Sequence, residues 1–294
     1  PRYAIPFNGD TRLLEEALRS GQVSEVYFAG PSESNQSHCP DLKGADRKTL
    51  GRMIALCRAH RARVNLLCNA WTLFFRDLEE GFKFIRAVPG IDAVTLADPL
   101  AISTFREELP DTEIQASIIM NLNSYEKLET ALKAGIGTAT LPLSFNRDAD
   151  FLVRARGLKK RYPRFKIKLI ANHHCRSECL FGPWHYMLGE ADVFDKDLFL
   201  KKSSLNKKIY GPVIFCLESC ASPSGLIRLP FIRPEDIGYY VKNGYADVFK
   251  LVNRSWPSNI LKKVFQAYFT RKHRGDLFDI INAEKYGGST SCDN

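Results

Sequence analysis

Short apolar runs alternate with longer amphipathic segments along most of the chain. The runs are rich in β-branched residues and predict β-strands. They are Glu25–Ala29, Arg63–Cys68, Ala93–Ala97, Glu113–Ile119, Gly137–Leu141, Lys166–Ile170, Val213–Phe215 and Val248–Val252. The amphipathic segments predict helices, which include Asp10–Ala17, Asp46–His60, Ser124–Ala134 and Pro234–Lys242. Ser124 is a favourable N-cap for the third of these helices, and Gly135 is a favourable stop.

The repeated alternation of strand and helix predicts an α/β fold, a parallel (β/α)8 barrel of the TIM type. We expect one barrel domain over residues 1–275 and a C-terminal tail over residues 276–294. Residues 189–208 have a charge pattern of their own and predict an insertion between strands six and seven. The chain has 294 residues, of which 45% are hydrophobic, enough to bury a core of this size.

The charge balance is basic, with a net charge of +9. This balance favours anionic partners such as RNA, although basic residues spread along a chain are also typical of a solvated surface. No run of about 18 apolar residues predicts a membrane span, and the first residues lack the apolar stretch of a signal peptide. We therefore expect a cytoplasmic protein, whose cysteines remain reduced.

Two cysteine pairs share the same spacing, and each pair follows a predicted strand. They are Cys175 with Cys179 and Cys216 with Cys220. The carboxyl ends of parallel strands meet on one face of a barrel, so we expect four thiolates there. Thiolates hold [4Fe-4S] clusters and structural zinc, and unligated thiols are the third reading. Cys39 is an alternative ligand.

Two further cysteines have positions typical of a core. Cys57 lies on the apolar face of a predicted helix, and Cys68 lies inside a predicted strand. Free cysteine is among the residues most often buried, so we expect both to be core residues.

Polar residues gather at the predicted carboxyl ends of the strands, where barrels carry their active sites. The candidates for acid–base catalysis are His173, His174, Asp98, Glu218 and Lys250. The candidates for substrate binding are Asn69, Asn121, Asn172 and Arg254. Other readings are that the histidines hold the loop by hydrogen bonds, that the asparagines serve as turn residues, and that Arg254 forms a structural ion pair.

Five segments, in this order along the chain, are similar to the motifs of one family. They are Asp98–Pro99, Gln115–Asn121, Ala171–Cys175, Arg233–Ile237 and Ala246–Arg254. Over residues 10–260 the chain thus resembles the collagenase-like peptidase family, U32. Two departures stand out: Phe165–Lys168 occupies a stretch where the family has a glutamate, and Val252–Asn253 stands where it has Glu-Gly. We therefore expect a substrate pocket that differs from the family's.

The resemblance implies an iron–sulfur enzyme. Better-understood members of the family act in the oxygen-independent hydroxylation of ubiquinone precursors, or hydroxylate tRNA and ribosomal RNA. For this chain the resemblance implies modification of a small-molecule or RNA substrate without molecular oxygen. It also implies, as in some relatives, a partner subunit of the same family.

Two other functions remain open from the sequence. One is a peptidase, as the family name suggests, and the other is an RNA-binding protein with a structural metal site. The sequence lacks the glycine-rich loops that bind nucleotides. It also lacks the Cys-x-x-x-Cys-x-x-Cys triplet of radical SAM enzymes, so we expect no second cofactor of either kind.

Overall fold

The computed structural model describes residues 1–30, 37, 46–70, 73, 77–173, 175, 179, 204 and 229–281. Within these residues, parallel strands close into a barrel in the order β1 to β8, which confirms the predicted fold class. The strands are β1 Tyr3–Pro6, β2 Val23–Phe28, β3 Arg63–Cys68, β4 Ala93–Leu96, β5 Glu113–Ala116, β6 Thr138–Thr140, β7 Lys166–Ile170 and β8 Val248–Lys250.

Helices cover the outside of the barrel. They are α1 Thr11–Arg19, α2 Arg47–Ala59, α3 Leu78–Ala87, α4 Ile102–Glu108, α5 Tyr125–Ala134, α6 Ala149–Gly157, α7 Ile237–Lys242, α8 Ser258–Thr270 and α9 Phe278–Ile281. No helix among these is long and apolar enough to cross a membrane.

The predicted helix ends follow the capping rules. The side chain of Asp10 accepts hydrogen bonds from the backbone of Arg12 and Leu13 at the start of α1. Ser124 caps α5 through the backbone N–H of Lys127. Gly135 ends α5 with a φ of 109°, in the left-handed region. A Cβ atom there would lie only 2.7 Å from Cδ of Arg106, so glycine also permits close packing.

The strand numbering differs from the prediction by one place. β1 is a four-residue strand that ends in proline, so it gives only a weak strand pattern. The predicted seventh strand, Val213–Phe215, lies outside the described residues. Among the described residues, β7 pairs directly with β8. Residues 189–208 therefore lie between strands seven and eight, not between six and seven.

The strands divide their side chains between two cores. Tyr3, Ile5 and Val26 belong to the large apolar cluster that joins the barrel to its helices. Glu25 and Tyr27 alternate with Val26 along β2, so their side chains point into the barrel interior. The barrel therefore has an apolar outer core and an interior that contains polar groups.

The packed part of the chain extends beyond the predicted domain boundary at residue 275. Ile280 and Ile281 of α9 are fully buried in the large apolar cluster. The backbone carbonyl of Ile280 lies 3.4 Å from Nδ2 of Asn172, at the end of β7. The tail can begin only after these residues, because α9 is part of the core; residues 282–294 lie outside the described part.

Candidate active site at the carboxyl end of the barrel

A hydrogen-bonded layer of polar side chains crosses the barrel interior. Nζ of Lys168 donates to Oε1 of Glu25 and to Oε1 of Gln115, both at 2.6 Å. Nδ2 of Asn65 donates to the same two oxygens at 2.8 and 3.1 Å. Nε2 of Gln115 donates to Oε2 of Glu25 at 2.8 Å, and Thr95 donates to Asn65 at 3.0 Å. Buried polar groups need such partners, and this layer supplies them.

Glu25 is ionised within this layer. Burial by itself raises the pKa of a carboxyl group, because it disfavours the charged form. The ammonium group of Lys168 and the hydrogen bonds from Asn65, Lys168 and Gln115 outweigh that effect and lower the pKa of Glu25 to about 2. The layer is therefore a buried ion pair with its surrounding donors, and it forms a rigid floor beneath the carboxyl end of the barrel.

Lys250 lies nearer the carboxyl end than this floor. In the pairing of β7 with β8 it is opposite Ile170, two residues beyond Lys168. Its Nζ lies 4.3 Å from the centroid of the Tyr27 ring, a cation–π contact. The hydroxyl of Tyr27 donates to the carbonyl of Leu251 at 2.8 Å, which fixes the ring. Lys250 thus brings a buried positive charge towards the mouth of the barrel.

Cys175 lies at this mouth. A small apolar cluster closes the interior there, and Cys175 packs against it. The members of the cluster are Ala97, Ile118, Ile119, Leu143, Ile170 and Val252. The backbone N–H of Cys175 donates to Nδ1 of the buried His173 at 2.8 Å. In the neutral ring this leaves the proton on Nε2, so His173 is a donor at its other nitrogen.

Asn172 joins the ends of two strands. It is fully buried, and its Oδ1 accepts a hydrogen bond from the backbone N–H of Val252 at 2.7 Å. Its Nδ2 lies 3.4 Å from the carbonyl oxygens of Val252 and Ile280. These contacts position the segment after β8 against β7. A direct contact of Asn172 with substrate stays a prediction.

The segment after β8 turns sharply. Asn253 has a φ of 84°, in the left-handed region that asparagine tolerates. The backbone N–H of Trp256 donates to the carbonyl of Asn253 at 3.1 Å and closes the turn. Nη2 of the buried Arg254 donates to Oγ of Ser37 at 3.1 Å. Arg254 is therefore held at the mouth, as its place after the last strand predicts.

The remaining predicted polar residues that the structure describes lie directly after strands or in turns. Asn69 is buried directly after β3. The carboxylate of Asp98 accepts from the backbone N–H of Leu100 at 2.8 Å and begins a short 3-10 turn. Asn121 is exposed and left-handed, with a φ of 51°. Asn121 thus has the turn role that the sequence left open, and Asp98 is the N-cap of a 3-10 turn. The binding role of Asn121 and the catalytic role of Asp98 stay predictions.

The four cysteines that the structure describes divide into two groups. Cys175 and Cys179 are partly exposed and form no disulfide. Cys57 and Cys68 are buried, as predicted, and burial raises the pKa of each thiol to about 12. A thiol that resists ionisation is a poor ligand, so only the first group suits a metal.

Several predicted site residues lie outside the described part of the chain. They are Cys216, Cys220, His174 and Glu218, together with the alternative ligand Cys39. Among the residues that the structure describes, no three His, Cys, Asp or Glu side chains come together as metal ligands. The set of four thiolates therefore stays a prediction.

Sequence reasoning missed the polar floor. Its signal was present, because Glu25 and Lys168 each stand inside an apolar strand at a position that points into the barrel. Two opposite charges in strands that are far apart in sequence predict a buried pair only when the strand register is known. Asn253 and Trp256 lie close to the predicted Arg254 but were also missed. Their burial depends on how the turn after β8 folds.

The comparisons with known proteins agree with the motifs. Residues 9–147 match the model of peptidase family U32, a little under half of the chain. This part of the chain is U32-like. It extends from α1 past β6, so β7, Cys175 and β8 lie outside the matched residues.

Two relatives cover more of the chain than the U32-like part. An uncharacterized protease of Methanocaldococcus jannaschii is 24% identical over 262 residues, which are 84% of this chain and 74% of that protein. The solved structure of the U32 peptidase Mk0906 matches 85% of this chain and 91% of its own, with a TM-score of 0.52 and 10% identity. At this identity the second likeness shows the fold alone.

Proposed function

We propose that this chain is an iron–sulfur enzyme whose active site is the carboxyl end of the barrel. In this proposal Cys175, Cys179, Cys216 and Cys220 hold a [4Fe-4S] cluster. The observation that carries it is the position of Cys175, which packs at the barrel mouth and is partly exposed there. The proposal places the chain in the cytoplasm, where thiols remain reduced and available to iron.

The residues around Cys175 suit such a group. Iron–sulfur clusters take thiolate ligands. Cys175 and Cys179 are partly exposed, whereas Cys57 and Cys68 are buried. The hydrogen bond from the backbone of Cys175 to Nδ1 of His173 fixes the start of the ligand loop. The apolar cluster beside Cys175 limits access of water, which tunes the potential of such centres.

When bound, the cluster supplies electron transfer, or a Lewis-acidic iron if one thiolate is missing. The chain's own residues bind and orient the substrate. Lys250 and Arg254 present positive charge at the mouth, and Nε2–H of His173 is a hydrogen-bond donor. His174 and Glu218 are the further candidates for proton transfer.

The reaction that the resemblance favours is hydroxylation of a small molecule or RNA without molecular oxygen. If water supplies the oxygen atom, replacement of C–H by C–OH releases two protons and two electrons. The protons need a base near the mouth, and the electrons need an external two-electron acceptor. A partner subunit of the same family is one source of such an acceptor site.

Metal analysis of matched cysteine variants tests the proposal. The protein is purified without oxygen, and iron and zinc are measured in the wild type, C175A, C179A and C68A. We expect iron in the wild type and in C68A, whose thiol is buried, and loss of iron in the other two. Zinc in place of iron would support a structural metal site, as in the RNA-binding alternative.

A peptidase is the second candidate, and the comparisons favour it. The U32 match and the protease from M. jannaschii point to it by name. A nucleophile–base peptidase needs a thiol or hydroxyl beside an imidazole nitrogen, whereas Nδ1 of His173 accepts from a backbone N–H. Cleavage of a peptide by the wild type that is lost in H173A or C175A, with no dependence on iron, would establish this candidate.

A further inference from the structure

In the part of the chain that the structure describes, two buried hydrogen-bond donors in the turn after β8 have no hydrogen-bond partner. They are Nδ2 of Asn253 and Nε1 of Trp256. Asn253 is only 1% exposed and Trp256 only 2%, so bulk water does not reach them freely. Buried donors are nearly always satisfied in folded proteins. Two unsatisfied donors in one turn therefore point to a group that binds there.

The turn brings the backbones of the two residues close together. The hydrogen bond from the backbone N–H of Trp256 to the carbonyl of Asn253 makes them the first and last residues of a β-turn. The ends of such a turn lie within about 7 Å of each other. Nδ2 of Asn8 donates to the carbonyl of Trp256 at 3.3 Å and fixes the turn from the side of β1. Both donors thus belong to a turn that is held by backbone and side-chain hydrogen bonds.

A buried positive charge lies between these donors in sequence. Arg254 is only 7% exposed, and its Nη2 donates to Oγ of Ser37. A guanidinium carries five N–H donors and favours the oxygens of carboxylates and phosphates. Loops after the last strands of such barrels often bind phosphate groups. The positive charge of Arg254 favours an anionic ligand. The amide and indole N–H groups alone would equally suit a neutral carbonyl.

We propose that the turn Asn253–Trp256 is an oxyanion-binding subsite, which takes a carboxylate or phosphate group of the substrate. Asn253 and Trp256 each donate one hydrogen bond to the anion, and Arg254 supplies the opposing charge. The subsite would bind the substrate of the proposed enzyme, so this inference rests on the proposed function. The turn lies at the same mouth of the barrel because it follows β8, the strand that carries Lys250. The subsite makes the substrate of this enzyme an anion.

Titration of the whole protein with simple anions tests the subsite. The indole N–H resonances of protein labelled with 15N-tryptophan are followed while inorganic phosphate or succinate is added, and W256F assigns the signal of Trp256. We expect a saturable shift of that signal with at least one probe. The stronger probe identifies the source of the anion as phosphate or carboxylate.

Variants then assign the donors by calorimetry with the stronger probe. W256F keeps an aromatic ring and N253G keeps the left-handed turn, while each removes one donor. We expect each variant to bind about tenfold more weakly, the loss for one hydrogen bond to a charged group, and R254Q to bind more weakly still. R164Q is the control, because Arg164 is an exposed arginine at the opposite end of the barrel.

An unchanged Trp256 signal with both probes, in a folded protein, would overturn the subsite and leave water as the group beside these donors. Equal binding by wild type, W256F and N253G would overturn it as well. The titration needs no metal, so its result is separate from the iron measurement. Anion binding without iron would keep the subsite and remove the proposed function.

Discussion

Nζ of Lys168 lies 2.6 Å from Oε1 of Glu25 in the interior of the barrel, where both side chains are almost fully buried. The pair joins β7 to β2 across the barrel, and Asn65 and Gln115 complete its hydrogen bonds. Buried pairs add little net stability, because desolvation offsets their attraction. Removal of only one partner is costly, because the other charge is then left buried and unpaired.

Replacement of Lys168 by methionine tests this asymmetry. K168M keeps most of the side-chain volume and leaves the Glu25 carboxylate without its cation. We expect a loss of about 3–5 kcal/mol in the free energy of unfolding, measured with urea. The double variant E25Q/K168M removes both charges and should recover a large part of that loss. A loss in the double variant equal to the sum of the losses in K168M and E25Q would show that the two charges are not coupled.

Acid should weaken the fold through Glu25. Its pKa in the folded protein, about 2, is below the ordinary carboxyl value of 4.5. The contribution of ionised Glu25 to the free energy of unfolding is therefore fully present above about pH 4.5. It is lost as the pH falls towards 2, and the loss is roughly 3 kcal/mol in all. Urea unfolding at a series of pH values measures it. E25Q, the control, should lose less stability over this range, and parallel curves for the two proteins would contradict the assignment.

Tyr27 stabilises the barrel through two separable contacts. Y27F removes the hydroxyl that donates to Leu251 and keeps the ring beneath Lys250. We expect a loss of about 1 kcal/mol in the free energy of unfolding. Y27L also removes the cation–π contact and leaves a cavity, so a loss of roughly 3 kcal/mol is expected. If the two variants unfold alike, the contact of Lys250 with the ring contributes nothing.

Thiol accessibility should separate the described cysteines into two groups. Cys175 and Cys179 are partly exposed, whereas Cys57 and Cys68 are buried with raised pKa values. Iodoacetamide should therefore modify the first two in the folded, metal-free protein and spare the other two. Mass spectrometry of peptides gives the order of modification. Early modification of Cys57 or Cys68 would contradict their placement in the core.

The sequence predicted the barrel because most strands and caps have local signals. Seven of the predicted strands overlap β2 to β8, and Asp10, Asp46 and Ser124 begin helices as the capping rules predict. β1 was missed because four residues that end in proline carry little periodicity. Predicted strand Glu113–Ile119 is too long, because Ser117 accepts from the backbone of Ile119 and begins a 3-10 turn.

The site was predicted less completely, for a physical reason. Cys175, Lys250 and Arg254 follow from their places in or after strands, because strand order determines which ends meet. The hydrogen bond of His173 with Cys175 and the buried donors of Asn253 and Trp256 depend on how turns fold in three dimensions. Local pattern does not encode such contacts, so only the residue types at the mouth were foreseeable.

The iron and sulfide content of the wild-type protein, purified without oxygen, tests the central claim most directly. About four irons and four sulfides per chain are expected for one cubane cluster, together with a broad visible absorption band that C175A lacks. A colourless protein with about one zinc per chain, or with no metal, would contradict the claim. The chemistry at the barrel mouth would then depend on its histidines, cations and carboxylates alone.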